Sequence, residues 1–190
     1  GNDITSIPDK EFQNCSGLQK IILPQTVTTI GNNAFEGCKN LVTLGIGTVA
    51  DGVVDLSKVN TIGSNAFSAC ETISDLELGK YDTRSELTIK AQAFLGCIGL
   101  EKIEIPVKNA ALIGASAFEN CSGLQEIGLQ KDLQYIGNAV FRGTGASTSG
   151  VKFYEIEEGV KDVSVLPQNI TYIDDYAFAN CYLKKMDLSS

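Results

Sequence analysis

The sequence predicts an α/β solenoid of seven stacked units, running as one domain over residues 1–190. Three observations carry this prediction. First, an isoleucine lies five residues before each of seven recurring phenylalanines: Ile7 before Phe12, Ile30 before Phe35, Ile62 before Phe67, Ile89 before Phe94, Ile113 before Phe118, Ile136 before Phe141 and Ile173 before Phe178. Second, three residues after each phenylalanine stand Cys15, Cys38, Cys70, Cys97, Cys121, Thr144 and Cys181, so one repeat position accounts for all six cysteines. Third, a strand-like alternation follows each cysteine position. Repeat chains grow by adding units and not by enlarging one core, so the length of 190 residues does not set a domain count.

Taken in order, each unit opens on a short β-branched segment, such as Val27–Ile30, Val59–Ile62 or Ile170–Ile173, which reads as a brief strand. Next comes Ala-Phe-x-x-Cys, whose apolar positions recur every three to five residues and predict one turn of α- or 3₁₀-helix with an apolar inner side. Two residues past the phenylalanine stand Asn14, Gly37, Ala69, Gly96, Asn120, Gly143 and Asn180. Glycine and asparagine tolerate the left-handed conformation that ends such a turn, so Ala69 is expected to be strained. The spacing L-x-x-L-x-L then predicts the main strand: Leu18-Ile21-Leu23, Leu41-Leu44-Ile46, Ile73-Leu76-Leu78, Leu100-Ile103-Ile105 and Leu124-Ile127-Leu129. Val151/Phe153 and Met186/Leu188 continue it with small slips. One unit alone is too small to bury these apolar positions. Stacking solves this by setting equivalents side by side in ladders and pairing the strands in parallel.

The units differ in length at one point. The extra residues of the two longest, Gly47–Thr61 and Tyr154–Tyr172, enter just after the main strand and are expected to project from one edge.

The pattern I-G-x-x-A-F-x-x-C-x-x-L-x-x-I-x-I-P resembles the BspA-type leucine-rich repeat over Ile7 to Leu188. Departures are local: Pro8 and Glu11 in the first unit, Val140 and Thr144 in the sixth, and one residue fewer between Cys181 and Met186 in the seventh. The resemblance implies a right-handed leucine-rich-repeat superhelix. It also implies a secreted or surface-anchored protein of a host-associated bacterium, of a family associated with adhesion to host matrix proteins or to other cells.

Composition narrows the chemistry. A net charge of −8 and a pI near 4.6 argue against nucleic acid and anionic lipid, and favour basic partners. No apolar run approaches the ~18 residues of a membrane span. The chain opens on Gly1 without a methionine, as expected of a processed or trimmed segment, which leaves the removal of a leader open. The chain has no histidine, which removes the commonest general base and metal ligand. No G-x-S-x-G, phosphate-binding loop or G-x-G-x-x-G is present. The cysteines lack zinc-ligand spacing, and stacked equivalents carry parallel Cα–Cβ bonds too far apart to bridge, so they read as small buried hydrophobes. The chain is therefore read as non-enzymatic, with no cofactor and no metal. Asn14-Cys15-Ser16 and Asn120-Cys121-Ser122 match the glycosylation sequon but read as repeat grammar; Asn169-Ile170-Thr171 is a third match.

Residues between the inward positions of the main strand must point outward. One column reads Lys20, Thr43, Asp75, Lys102, Glu126, Gly150, Lys185; its neighbour reads Ile22, Gly45, Glu77, Glu104, Gly128, Lys152, Asp187. No aromatic residue is expected in either. Asp75, Glu77, Glu101 and Glu104 form an acidic cluster, whose flat sheet setting is a poor cage for calcium. Tyr135 and Tyr172 occupy the position before the isoleucine and are expected to be outward neighbours. The candidate binding face is thus Lys20, Thr43, Asp75, Glu77, Lys102, Glu104, Glu126, Tyr135 and Tyr172. Three functions are open: a surface module binding an extracellular protein, a structural spacer displaying another domain, and a glycan-binding accessory, weakened by the absence of tryptophan.

Overall fold

In a computed structural model, residues 4–47, 49–79, 87–107, 112–145, 150–156 and 166–183 are described. They form a parallel β-sheet solenoid of about six turns. The brief strands pair first: β1 (Ser6–Ile7), β3 (Thr29–Ile30), β6 (Thr61–Ile62) and β8 (Thr88–Ile89) lie in that order, and Ile89 bridges onward to Ile113. β11 (Tyr135–Ile136) and β13 (Tyr172–Ile173) form a separate parallel pair in the same repeat position. The main sheet runs β12 (Lys152–Glu155), β10 (Glu126–Leu129), β9 (Lys102–Ile105), β7 (Asp75–Glu77), β5 (Val53–Asp55), β4 (Thr43–Ile46), β2 (Lys20–Leu23).

The helical turn expected at Ala-Phe-x-x-Cys does not form. The segment is instead a string of tight turns, because its left-handed positions come twice per unit. Besides the position two after the phenylalanine, Ala69 included, the residue two before it is also left-handed: Lys10, Asn33, Asn65, Gln92, Ser116, Ala139 and Tyr176. Left-handed residues four apart stop helical propagation. Alternate amides close i→i−3 turns, such as Cys38 N–H to Phe35 C=O and Glu36 N–H to Asn33 C=O. The others leave the unit. In every unit but the seventh, the amides two before, at and two after the phenylalanine donate to carbonyls of the next unit: Asn33 to Ser64, Phe35 to Ala66 and Gly37 to Ser68, at 2.8 Å each. A helix would have spent these amides internally.

The phenylalanines from Phe12 to Phe178 form one continuous stack, with ring centroids 5.1–6.0 Å apart. Phe153 enters from the main sheet and meets Phe141 and Phe178 edge-on. That seat corrects the expected register of the sixth unit by two residues: Phe153 pairs with Ile127, so Lys152 and not Gly150 lies beside Glu126.

Each cysteine after the first donates from Sγ to the phenylalanine carbonyl of the preceding cysteine-bearing unit or its equivalent: Cys38 to Phe12, Cys70 to Phe35, Cys97 to Phe67 and Cys121 to Phe94 at 3.1–3.2 Å, and Cys181 to Phe141 at 2.7 Å. All six are free thiols, but Cys15 is exposed and Cys181 only half-buried, so the expectation of six buried cysteines holds for the four between them. Burial pushes the Cys38 thiol up to about 11 and those of Cys70 and Cys181 up as well. Since the thiolate is the reactive form, a disulfide reagent added to native protein near neutral pH should label Cys15 at once, Cys181 slowly and the others only in denaturant. Immediate labelling of three or more thiols would contradict this ladder.

Glycine recurs in the motif for two separate reasons. A Cβ on Gly114 would lie 2.2 Å from the Ala91 backbone nitrogen, whereas Gly96 has open space but a φ of +71°. Gly114→Ala should therefore cost about 2–3 kcal/mol by forcing two backbones apart, and Gly96→Ala about 1–2 kcal/mol of backbone strain alone. Chemical denaturation of both variants checks the order.

The first insertion does not project as a loop. Within Gly47–Thr61, Val53–Asp55 forms β5, which enters the main sheet between β4 and β7, and Val54, Leu56 and Val59 are fully buried. The sheet thereby gains a strand that the phenylalanine stack does not match. Residues 157–165 of the second insertion, and the predicted strand at Met186/Leu188, lie outside the described residues.

Candidate functional site

Strand alternation sends one side of the main sheet into the core and leaves the other as an outward face. The observed register gives its two columns. The first reads Lys20, Thr43, Val53, Asp75, Lys102, Glu126, Lys152; the second reads Ile22, Gly45, Asp55, Glu77, Glu104, Gly128, Tyr154. The expected positions Lys185 and Asp187 lie outside the described residues.

Two glycines in the second column are seats for other side chains. A Cβ on Gly45 would lie 2.3 Å from Val49 Cβ, so the start of the first insertion folds down onto β4. This covering corrects one candidate: Thr43 is buried, and its hydroxyl accepts a 2.8 Å bond from the Gly52 amide. Lys20, at the rim, is held by Asp51 of the same insertion at 2.5 Å. At the other side the Tyr154 ring lies over Gly128, whose Cβ would sit 2.9 Å from it. The Tyr154 hydroxyl donates to Glu104 at 2.9 Å, and Lys102 Nζ lies 3.4 Å from Glu104 and 6.0 Å from the ring centre. Burial, then the Glu104 carboxylate, push the Tyr154 hydroxyl well above its ordinary range. An aromatic residue thus does stand in the column, against expectation, because of the two-residue slip at Phe153.

Between these two covers the face is open and acidic. Asp55 pairs in register with Glu77, and Asp75 with Lys102, which carries Glu104 two residues on. A groove of about 340 Å³ runs along Asp75–Gly79 and Lys102–Glu104. Partial burial, then the charges of Asp55 and Asp75, push the Glu77 carboxyl up. Glu101 is exposed just before β9 and does not line this groove. Among the described residues, no three acidic, thiol or imidazole side chains converge closely enough to hold a metal ion. The arrangement suits an extended positive segment laid across β5, β7 and β9.

The tyrosines lie elsewhere. Tyr135 and Tyr172 stack at 5.5 Å, as neighbours, but on the short-strand ladder and not on the main-sheet face. The expected single surface is therefore two. The Tyr135 hydroxyl donates to Asp174 at 2.8 Å, a bond that raises its own ionisation; the Asp175 amide and that hydroxyl lower Asp174's. Tyr172, Tyr176 and Tyr182 are more than half exposed, and Arg142 sits 5.9 Å over the Tyr176 ring. Asp55 and Val49 escaped the sequence reading, which gathered Tyr154 with the other late tyrosines but did not place it on this face. The signal for Asp55 was present in the apolar Val53-Val54 pair inside the insertion.

The chain matches the model of the BspA type leucine rich repeat region over residues 1–83, 52–159 and 153–190, in six copies. Among solved structures, a leucine-rich repeat protein from Bacteroides ovatus is 28% identical, with a TM-score of 0.70 over 97% of this chain. The leucine rich repeat protein of T. pallidum is 22% identical, with a TM-score of 0.60 over 79% of this chain, and shows the fold alone. The chain spans 41% of the first protein and 66% of the second. No functionally curated protein matches it. No helix among the described residues is long and apolar enough to cross a membrane.

Proposed function

The chain belongs to the BspA-type leucine-rich repeat family, and from that premise we propose that it is a non-enzymatic binding module of a secreted or surface-displayed bacterial protein. In this reading it is a single right-handed solenoid of seven units over residues 1–190. Its partner is an extracellular protein, of host matrix or of another cell, which presents a basic segment. The observation that carries the reading is the open acidic stretch of Asp55, Asp75, Glu77 and Glu104, left between Val49 on Gly45 and Tyr154 on Gly128. Lys102 lies within it, beside Asp75 and Glu104, Glu126 flanks it, and Lys20 marks its far rim. Core columns are bound by packing, whereas this face differs from unit to unit and is free to serve recognition.

The exposed Tyr172, Tyr176 and Tyr182 favour a module that binds directly over a spacer that only displays another domain. Tyr135 and Tyr172 form a second, separate contact surface in this reading. The deciding experiment is a binding screen of the parent chain and of a Glu77→Lys/Glu104→Lys variant against extracellular-matrix proteins and glycans. A partner held by the parent and lost by the variant supports the reading. Partners that bind both alike, or glycans alone, would refute it.

A further inference from the structure

The inserted strand β5 creates a mismatch in the middle of the solenoid. On the phenylalanine side, the second and third units lie one rung apart: Phe35 and Phe67 stack at 5.2 Å, and β3 pairs directly with β6. On the main-sheet side β5 stands between β4 and β7, so the same two units lie two strand spacings apart, about 9–10 Å. Pairing thins on both flanks. β2–β4, β9–β10 and β10–β12 each pair through four residues, whereas β4 meets β5 only at Leu44–Val54 and β7 meets β9 only at Asp75–Lys102. Past that one pair, β7 and β9 part. The Leu56 amide donates to the Glu77 carbonyl at 2.8 Å across β5 and β7, but the equivalent bond from Leu78 to Glu104 is not formed, and the Leu78 amide has no acceptor among the described residues. Pro106 stands where Gly47 and Ile156 donate to Leu23 and Leu129, and it has no amide to give Leu78. The parting leaves a slot in the 340 Å³ groove, with buried Leu76 and Ile103 below and Glu77 and Glu104 above. Tyr154 and Lys102 both approach Glu104 at Oε1, so among the described residues Oε2 has no partner, and neither has the Glu77 carboxylate.

We propose that this slot takes one arginine side chain of the partner, its guanidinium edge-on between β7 and β9. The inference rests on the reading of this face as a binding surface and names the residue that the surface selects. A guanidinium is flat and carries five donors in a fixed fork, so it can meet the Glu77 carboxylate, Glu104 Oε2 and the Glu104 carbonyl that Leu78 leaves open. A lysine ammonium is a compact point charge. It reaches fewer of these acceptors, and its stronger hydration costs more over an apolar floor. Asp55 and Asp75 offer charge without the open carbonyl, so the preference for arginine belongs to the slot and not to the acidic face as a whole.

The test uses two labelled peptides of equal charge, one alternating arginine with glycine and the other lysine with glycine, titrated with the 190-residue chain by fluorescence anisotropy. The arginine peptide should bind about tenfold tighter than the lysine peptide, and in amide NMR spectra it should shift the Leu78 resonance. Glu77→Gln should remove most of that ratio. Glu101→Gln, the same charge change outside the groove, should weaken both peptides alike and leave the ratio intact. Circular dichroism checks that each variant folds. Equal affinities for the two peptides, both lost in Glu77→Lys/Glu104→Lys, overturn the slot and leave the acidic face standing as a binding surface. A preference for arginine that Glu77→Gln leaves intact also overturns the slot. If neither peptide binds, the slot and the reading of the face fail together.

Discussion

Phe94→Ala should be among the most destabilising single substitutions in this chain, at about 3–5 kcal/mol. Its ring is fully buried and lies between Phe67 at 5.4 Å and Phe118 at 5.3 Å, each within 4° of parallel. Truncation removes one buried ring and two offset stacking contacts. The neighbours cannot close the gap, because the spacing of the stack is fixed by three amide bonds per interface and by the paired strands on either side. A solenoid is stabilised mainly through contacts between adjacent units. Damage at a central unit should therefore also lower cooperativity, broadening the denaturant transition or splitting it in two. Phe12→Ala is the control: that ring is half-buried and stacked on one face only, so it should cost less than half as much. Urea titration followed by circular dichroism separates the two. Equal costs at Phe12 and Phe94 would show that stability here is not carried along the stack.

That stack was legible in the sequence, because tight packing forces the same residue type at the same repeat position. The isoleucine, alanine, phenylalanine and cysteine columns could be aligned without any structure, and so could five main strands. What the pattern could not disclose was backbone sign. A 3.6-residue period and a run of tight turns both bring Phe35 and Cys38 to one side. The discriminating feature was the second left-handed position, and Lys10, Gln92 and Tyr176 there are not residues that announce it. At Lys10 and Gln92 the left-handed backbone goes with an amide bond to the neighbouring unit, which local sequence does not encode.

The candidate site was legible in outline only. Register along the uninterrupted units placed Asp75, Lys102 and Glu126 correctly in one column. Two long-range events altered the rest. An insertion read as a loop by its length supplied a strand, which added Asp55 and buried Thr43. A slip at Phe153, which fits edge-on against Phe141 and Phe178, moved the outward Tyr154 into the column beside Gly128. Strand register is set by which side chain the core will accept, and a two-residue slip keeps the inward–outward alternation intact. Alternation alone therefore cannot detect it.

For a basic partner seated on the main-sheet face, Glu77→Lys together with Glu104→Lys should weaken binding at least tenfold, about 1.4 kcal/mol. Reversal replaces two attractions by two repulsions at the floor of the same groove, next to Asp55 and Asp75. The parent's affinity should fall as salt is raised, and the variant's should respond less, because exposed charges are screened within about 10 Å at 0.1 M salt. The two positions differ in their effect on folding. Glu77 has a raised ionisation from burial and like charges, so Glu77→Lys should leave stability within about 0.5 kcal/mol. Glu104 accepts the Tyr154 hydroxyl, and Glu104→Lys should cost about 1 kcal/mol by leaving that buried group unpaired. Glu104→Gln keeps an acceptor there and should recover the stability while still losing charge-dependent affinity. Tyr172→Ala, on the other ladder, should leave this affinity unchanged. Calorimetric titrations at two salt concentrations, with a denaturant curve for each variant, read all of these terms. If Glu77→Lys and Glu104→Lys bind like the parent while Tyr172→Ala does not, recognition belongs to the short-strand ladder and the acidic groove is only a solvated face.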